Sequence, residues 1–424
     1  MLPIVRGAVS GRLRRPLSTA ATRPPWVMMD REIKQTKSRG GVSCSFRPPP
    51  SASSITIPIW SLALEPPGDK RAYMDTMRCR LLAASSDGFL LLDTLKSRVK
   101  LPDGLPVEAL RVEAVLLKAV PSEPVCRWSE RRVCNPVTGE LLCLPDFPRG
   151  GGAAGKASTG CTDGTGMGLL TQAPEARYAA AQLSVAHDGR RFLLRRFDSR
   201  KGVWEDDLVL PSPLPPGRRM HMVLHEVFDF GGRLWWVDVS WGAVCLDPFC
   251  DQPQLRPVEL PAGTVLAGSV SRNETNMRIL DKHRRMGVSV GRLVYAEADA
   301  FHVRSFALDD ESGSWTLEHD VSVASLWPDV KVLPSIAAID PLDSDVLHLN
   351  VKEFTISVDL RQEKVMVGAA FLQGGVSPQS AASSYLPCVL PSFLGSTPIP
   401  GNNDVKKNKT LADVLVRSDR QPKT

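Results

Sequence analysis

A hairpin of one particular kind recurs along this chain of 424 residues, and it limits the possible folds more than any other feature. Arg233-Leu234-Trp235-Trp236-Val237-Asp238 after Gly232 resembles Arg292-Leu293-Val294-Tyr295-Ala296-Glu297 after Gly291, and Phe89–Asp93 after Gly88 is a shorter copy. A second similarity runs beside it. Phe192-x-Leu194-Arg195-x-Phe197, an Asp/Gly turn and Trp204 match Phe301-x-Val303-Arg304-x-Phe306, an Asp/Gly turn and Trp315. Aromatic and β-branched segments between Gly, Asp and Asn turns read as strands. Turn centres at Gly88, Gly139, Gly189, Gly232, Gly291 and Ser344 lie 43 to 59 residues apart. A period of roughly 40–50 residues with about four short strands is that of propeller blades. One such sheet cannot cover both of its apolar faces, so blades stack radially and each buries its neighbour's. The sequence therefore predicts an all-β fold, a degenerate propeller-like arrangement of about six antiparallel sheets, with paired β-sandwiches as the alternative.

Composition agrees with many short elements: 35 prolines and 32 glycines punctuate a chain that is 43% hydrophobic. The formal charge of +6 is carried by the ends. Residues 1–29 hold Arg6, Arg12, Arg14, Arg15 and Arg23 with no acid, and residues 405–424 hold six basic and two acidic side chains. The body from Asp30 to Asp404 is left with 41 basic against 44 acidic residues, which argues against nucleic acid as a partner of the body. Nine scattered cysteines without a C-x-x-C pair suit buried thiols better than a disulfide framework or a zinc site.

The acid-free, arginine-rich start, with Ser10, Ser18, Thr19 and Thr22, reads as an organelle-targeting leader over residues 1–29. It predicts import into the mitochondrion; a plastid is the alternative, or the cytoplasm or nucleus if the segment is not a transit peptide. The domain of unknown function follows over 30–400, with a Gly-rich loop at 149–168, and a disordered basic tail occupies 401–424. No run reaches the about 20 apolar residues of a membrane-spanning helix.

Several motifs approach known chemistry. Gly150–Lys156 fits the start of a phosphate-binding loop, G-x-x-x-x-G-K, but Ala157 stands where a hydroxyl must meet magnesium. Gly287-Val288-Ser289-Val290-Gly291 fits the nucleophile elbow G-x-S-x-G, yet an alternating strand follows where a helix is required, so Ser289 reads as a strand residue. His221 and His225, with Glu226 beside them, could share a metal on a helix. The local pattern is extended, which would hold the two imidazoles roughly 13 Å apart. His187, His283, His302, His319 and His348 are isolated. Trp235, Trp236 and Trp241 form the one aromatic cluster, either a core between sheets or an interaction surface. No cofactor, metal or catalytic residue is predicted.

The block Gly231–Gly242, with its three tryptophans, followed by Leu246-Asp247-Pro248 and Leu255–Pro261, resembles the core of the plant family called domain of unknown function 1618 (DUF1618), abundant in grasses. Pro25–Asp30 and Tyr385–Ser396 add to the likeness. Val133–Pro145, with its Asn-Pro turn and Leu-Pro exit, is similar to repeats of F-box-associated propeller domains, although the F-box helices are missing. The DUF1618 resemblance implies no activity and supplies no catalytic residues. The function expected from sequence is a protein-interaction scaffold with an unknown protein partner. The alternatives are a small-ligand binder or enzyme using the central funnel of the ring, or a cytosolic or nuclear adaptor. Converging Asp, Glu, His or Arg side chains in that funnel would favour the ligand reading.

Overall fold

The computed structural model describes residues 23–37, 41–58, 73–100, 126–147, 166–172, 175–186, 188, 190–216, 218, 226–268, 274–327, 333–371 and 385–401. Five of its sheets are antiparallel throughout and follow one another along the chain. Blade 1 comprises Tyr73–Ala84, Leu90–Lys100, Cys126–Cys134 and Leu141–Cys143. Blade 2 comprises Met167–Gln172, Arg177–Val185 and Arg191–Asp198, with Val203–Trp204 and Leu208–Pro211 both paired to the third strand. Blade 3 runs through Val227–Phe230, Arg233–Asp238, Gly242–Leu246 and Arg256–Glu259. Blade 4 holds Arg284–Ser289, Arg292–Ala298, His302–Leu308 and Trp315–Ser322; blade 5 holds Ser335–Ile339, Val346–Val351, Phe354–Asp359 and Lys364–Phe371.

The sixth sheet departs from the expectation of antiparallel sheets because it is assembled from both ends of the fold. Trp26–Asp30 pairs antiparallel with Tyr385–Val389, in the register Trp26↔Val389 to Asp30↔Tyr385. On its other side it pairs parallel with Ala52–Pro58, which also takes Lys34–Thr36 in parallel. A strand returning to a sheet that already contains its distant partner is not bound to the up-and-down order of a hairpin meander. The sheet is therefore mixed.

Shared cores show that the six sheets close a ring. Blades 1 and 2 share one core with the sixth sheet, where Val27 and Ile55 meet Leu81, Leu92, Leu169 and Tyr178. Leu170, Phe192 and Leu194 of blade 2 pack on Leu234 and Trp236 of blade 3. Trp235 and Cys245 of blade 3 pack on Met286 and Tyr295 of blade 4. Val294 and Val303 of blade 4 meet Leu347 and Val358 of blade 5, and Ala337 and Ala338 of blade 5 meet Trp26, Met28 and Tyr385. Every junction is apolar, as radial stacking requires. The adjacent tryptophans show the period of the strand: Trp235 faces blade 4 and Trp236 faces blade 2.

Two glycines are required by close approach. Gly168 lies where blade 2 meets blade 3, and a Cβ there would sit 2.5 Å from Val227 Cγ1 and 2.9 Å from Leu234 Cδ2. Gly88, at φ +85°, turns the first hairpin of blade 1, where a Cβ would fall 2.6 Å from the carbonyl oxygen of Val389. The Asn-Pro turn of the same blade also holds the closing segment. Asn135 Nδ2 donates to the carbonyls of Leu394 (2.8 Å) and Thr397 (2.9 Å), while Asn135 Oδ1 accepts from the amides of Val137 and Thr138.

The even spacing read from the sequence does not correspond to successive blades in the first half. Gly88 and Gly139 turn the first and third hairpins of one blade, so the interval between them lies inside blade 1. The matched residues do fall on equivalent strands. Leu90–Asp93, Arg233–Asp238 and Arg292–Glu297 lie on the second strands of blades 1, 3 and 4, and the Phe192/Trp204 and Phe301/Trp315 segments lead from third to fourth strands in blades 2 and 4.

Residues 1–22 of the expected leader, all but the last residues of the Gly-rich loop, and the tail beyond Gly401 lie outside the described residues. Residues 26–29, placed at the end of the leader by the sequence, belong to the buried strand that closes the ring.

Candidate site in the central funnel

The first strands of blades 1 to 5 and the last strand of the chain surround a cavity of about 610 Å³ on the ring axis. Its walls are largely apolar, with Leu170, Val227, Met286, Ile339 and Leu386 among them. Two polar groupings interrupt that lining.

The first is charged. Glu226 extends the first strand of blade 3 by one residue, its carbonyl accepting the amide of Val237 at 3.2 Å. Its Oε1 lies 2.5 Å from Arg285 Nε, and its Oε2 accepts the Met286 amide at 3.1 Å. Arg285 Nη1 donates to the carbonyl of Ala337, so this residue ties blade 4 to blades 3 and 5. Arg31, from the sixth sheet, donates to the carbonyl of Leu82 at 3.1 Å. Burial dominates the titration of Glu226 and Arg31. It raises the Glu226 carboxyl against the opposing pull of Arg285 and Arg31. It lowers the Arg31 guanidinium to about 10, helped by repulsion from Arg285 and resisted by Glu226. On the helix Glu274–His283, Asp281 is pushed up to about 8, by burial first and then by the charge of Glu226.

Arg285 Nε and Nη2 and Asp281 Oδ2 have no hydrogen-bond partner among the described residues, although Nε stands in the ion pair with Glu226. Arg285 is 3% exposed and lines the cavity. A buried guanidinium nitrogen without an acceptor costs on the order of 1–3 kcal/mol, more when charged, unless something else binds it.

The second grouping sits at the first hairpin turns. Asp229 accepts the Ser86 amide at 2.8 and 3.0 Å and the Ser86 hydroxyl at 2.7 Å, a bond from blade 3 to blade 1 across the ring. Thr171 Oγ1 donates to Asp87 Oδ2 at 2.8 Å and lies 2.9 Å from Ser85 Oγ. Burial pushes the Asp229 carboxyl up to about 6; the Ser86 donors oppose this and the charge of Asp87 reinforces it. Asp229 makes no ion pair among the described residues.

The residues singled out by sequence are dispersed. Trp235, Trp236 and Trp241 are buried in the cores on either side of blade 3, with Trp236 Nε1 donating to the Gly166 carbonyl at 2.6 Å. Ser289 ends a strand, fully buried, and its hydroxyl donates to the Asp340 carbonyl at 2.6 Å, which leaves it no nucleophilic role. Gly150–Lys156, His187, His221 and His225 lie outside the described residues, but Glu226 reaches the funnel. His283 Nδ1 lies 2.9 Å from the Pro334 carbonyl. His302 pairs with Asp320 at 2.5 Å on the surface.

Two of the isolated histidines form Ser–His–Asp chains that no spacing announced. Ser305 Oγ lies 2.8 Å from His319 Nδ1, and His319 Nε2 lies 3.2 Å from Asp345. Ser357 Oγ lies 3.0 Å from His348 Nδ1, and His348 Nε2 lies 3.4 Å from Asp340. The serines are 2% and 6% exposed and neither lines the funnel, so the chains are ties between strands. The nitrogens are also reversed from a serine-hydrolase triad, where Nε2 faces the serine.

Residues 236–348 match the family model DUF1618, described as a protein of unknown function. The DUF1618 segment runs from the second strand of blade 3 to the second strand of blade 5. It contributes Arg285 to the funnel, and Glu226 and Asp229 lie just before it. No curated protein matches the chain. Similar solved structures include a family 117 glycoside hydrolase from Zobellia galactanivorans, at 9% identity over 85% of this chain and 88% of that one, TM-score 0.30. A putative dipeptidyl aminopeptidase IV from Bacteroides ovatus matches at 9% identity over 72% of this chain and 43% of that one, TM-score 0.32. A structure from a study of two prolyl endopeptidases matches at 12% identity over 69% and 34%, TM-score 0.28. The chain thus spans less than half the length of either peptidase, and at such scores no activity transfers from any of the three. Among the described residues no helix is long and apolar enough to cross a membrane, and no group of three or more His, Cys, Asp or Glu could hold a metal ion.

Proposed function

We propose that this protein is a binding scaffold whose central funnel holds a small molecule. The observation that carries the reading is Arg285: a buried guanidinium with an unpartnered nitrogen, set in the wall of an apolar cavity of about 610 Å³. A cavity of some 300–1,000 Å³, mostly apolar with a few placed polar groups, is the usual form of a small-molecule site. The protein-docking reading rests on the loops, where Phe301 stands 74% exposed at the turn between the second and third strands of blade 4. A single exposed aromatic is ordinary surface, so the funnel is the better supported site.

A fragment screen read by thermal shift tests this. Gly287 lines the funnel, and a Cβ there would make ordinary contact with Ile339 Cδ1 at 3.6 Å, so Gly287→Phe fills the cavity from its wall without backbone strain. Fragments should stabilise the wild type and not this variant. Fragments that stabilise both equally would remove the funnel from the account.

The reading places the protein in the mitochondrion, carried by the basic leader. Because Trp26–Asp30 is needed to close the ring, processing belongs before Trp26. Removing residues 1–22 from a reporter fusion should abolish import, and unchanged import would refute the leader.

A further inference from the structure

We infer that the funnel's ligand is a short amphoteric molecule, its anionic end on Arg285 and its cationic end at Asp229, with the length of an extended tripeptide. The inference rests on the funnel reading and adds the ligand's chemistry. Arg285 supplies the anion site, since its Nη2 is a buried donor with no acceptor among the described residues. Its Nε is ion-paired with Glu226 and its Nη1 donates to the Ala337 carbonyl, so the two N–H groups of Nη2 remain. A carboxylate oxygen there would make a charge-assisted hydrogen bond.

Asp229 supplies the opposite pole. It lines the same cavity, and its donors are the amide and hydroxyl of Ser86, both neutral. Asp87 is close enough to act on its titration, so negative charge gathers at this end of the funnel. An ammonium group there would answer that charge.

The separation follows from the strand. Arg285 is fixed at Glu226, and the backbone positions of Glu226 and Asp229 lie three residues apart on the same extended segment, about 10 Å at roughly 3.3 Å per residue. Three residues of extended peptide span about the same distance from ammonium to carboxylate. Between the poles the wall is apolar, with Val227, Met286 and Leu386, so an aliphatic middle side chain fits it.

The test is calorimetric titration of the full chain with the tripeptide Ala-Leu-Ala in four forms: free, N-acetylated, C-amidated and doubly capped. The free form should bind at least about tenfold more tightly than either singly capped form, the equivalent of about 1.4 kcal/mol per pole. Asp229→Asn should remove the discrimination against N-acetylation and keep that against C-amidation. The capped peptides on the wild type decide the matter even if a variant fails to fold. Equal binding of all four forms, blocked by Gly287→Phe, would overturn the amphoteric ligand and leave the funnel reading standing. No binding of any form would also overturn it, and the fragment screen would then judge the funnel reading alone.

Discussion

Met286 and Arg285 are neighbours in one strand and live under opposite rules. Met286 packs with Trp235 and Tyr295 in the core between blades 3 and 4, and the Tyr295 hydroxyl donates to Glu297 at 3.0 Å. Arg285 reaches Glu226 in the funnel, lies within the field of Asp281 and Arg31, and keeps one nitrogen without a partner among the described residues. The blade junctions are satisfied by their own contacts, so they hold the ring. The funnel carries buried charge that its own hydrogen bonds do not fully meet, which is stability forgone. Departures of this kind from full satisfaction are concentrated at functional sites.

That contrast is exposed to several measurements. The largest effect should come from a junction: Trp236→Ala empties a fully buried site between blades 2 and 3, removes the bond to Gly166, and should cost about 3–5 kcal/mol in denaturant unfolding. The molecules still folded should bind funnel fragments as the wild type does. Altered fragment affinity would mean that junction and funnel are not separable.

Next in size is a pH effect confined to the funnel. Asp229 sits at about 6 in the fold against an ordinary 3.8, so the folded state holds its proton more tightly than the unfolded chain does. Its contribution is therefore complete below about pH 4 and is lost as pH rises to about 6, a change on the order of 3 kcal/mol. Asp281, pushed up to about 8, carries the same trend further. Urea unfolding across pH 4–8 should show a shallower decline for Asp229→Asn than for the wild type. Parallel curves would show that the Asp229 charge is not buried as described.

Gly168→Ala should be smaller, about 1–3 kcal/mol, because a methyl must displace the side chains of Val227 and Leu234. A neutral result would place blades 2 and 3 further apart. The smallest effect is expected at the histidine ties: Ser305→Ala should cost about 1 kcal/mol and leave any activity of the protein unchanged. Loss of an activity at unchanged stability would make that serine a reacting group.

The junctions were the legible part of the chain because their residues repeat. Paired tryptophans after a Gly-Gly turn, or a Phe, an Asp/Gly turn and a Trp, mark strands whose opposite faces both enter cores, and these matches landed on equivalent strands. Spacing alone misled: the long connection between the second and third strands of blade 1 stretched that unit until Gly88 and Gly139 looked like neighbours in a period. The mixed sixth sheet was hidden because its strands lie at opposite ends of the chain. The funnel could not be read for a related reason. Arg31, Glu226, Asp229 and Arg285 come from different blades or separate positions, and the ring alone brings them together. Glu226 drew attention only through His221 and His225.

Everything about the funnel depends on the ring being closed by Trp26–Asp30 and Tyr385–Val389, and hydrogen–deuterium exchange on the full chain reads that closure directly. Both segments should be protected to the same degree as the central strands of blades 1–5, and Leu386→Asp, which puts a charge into the shared core, should release both together. Exchange of 26–30 at the rate of a free peptide, with the five blades still protected, would contradict the closed ring.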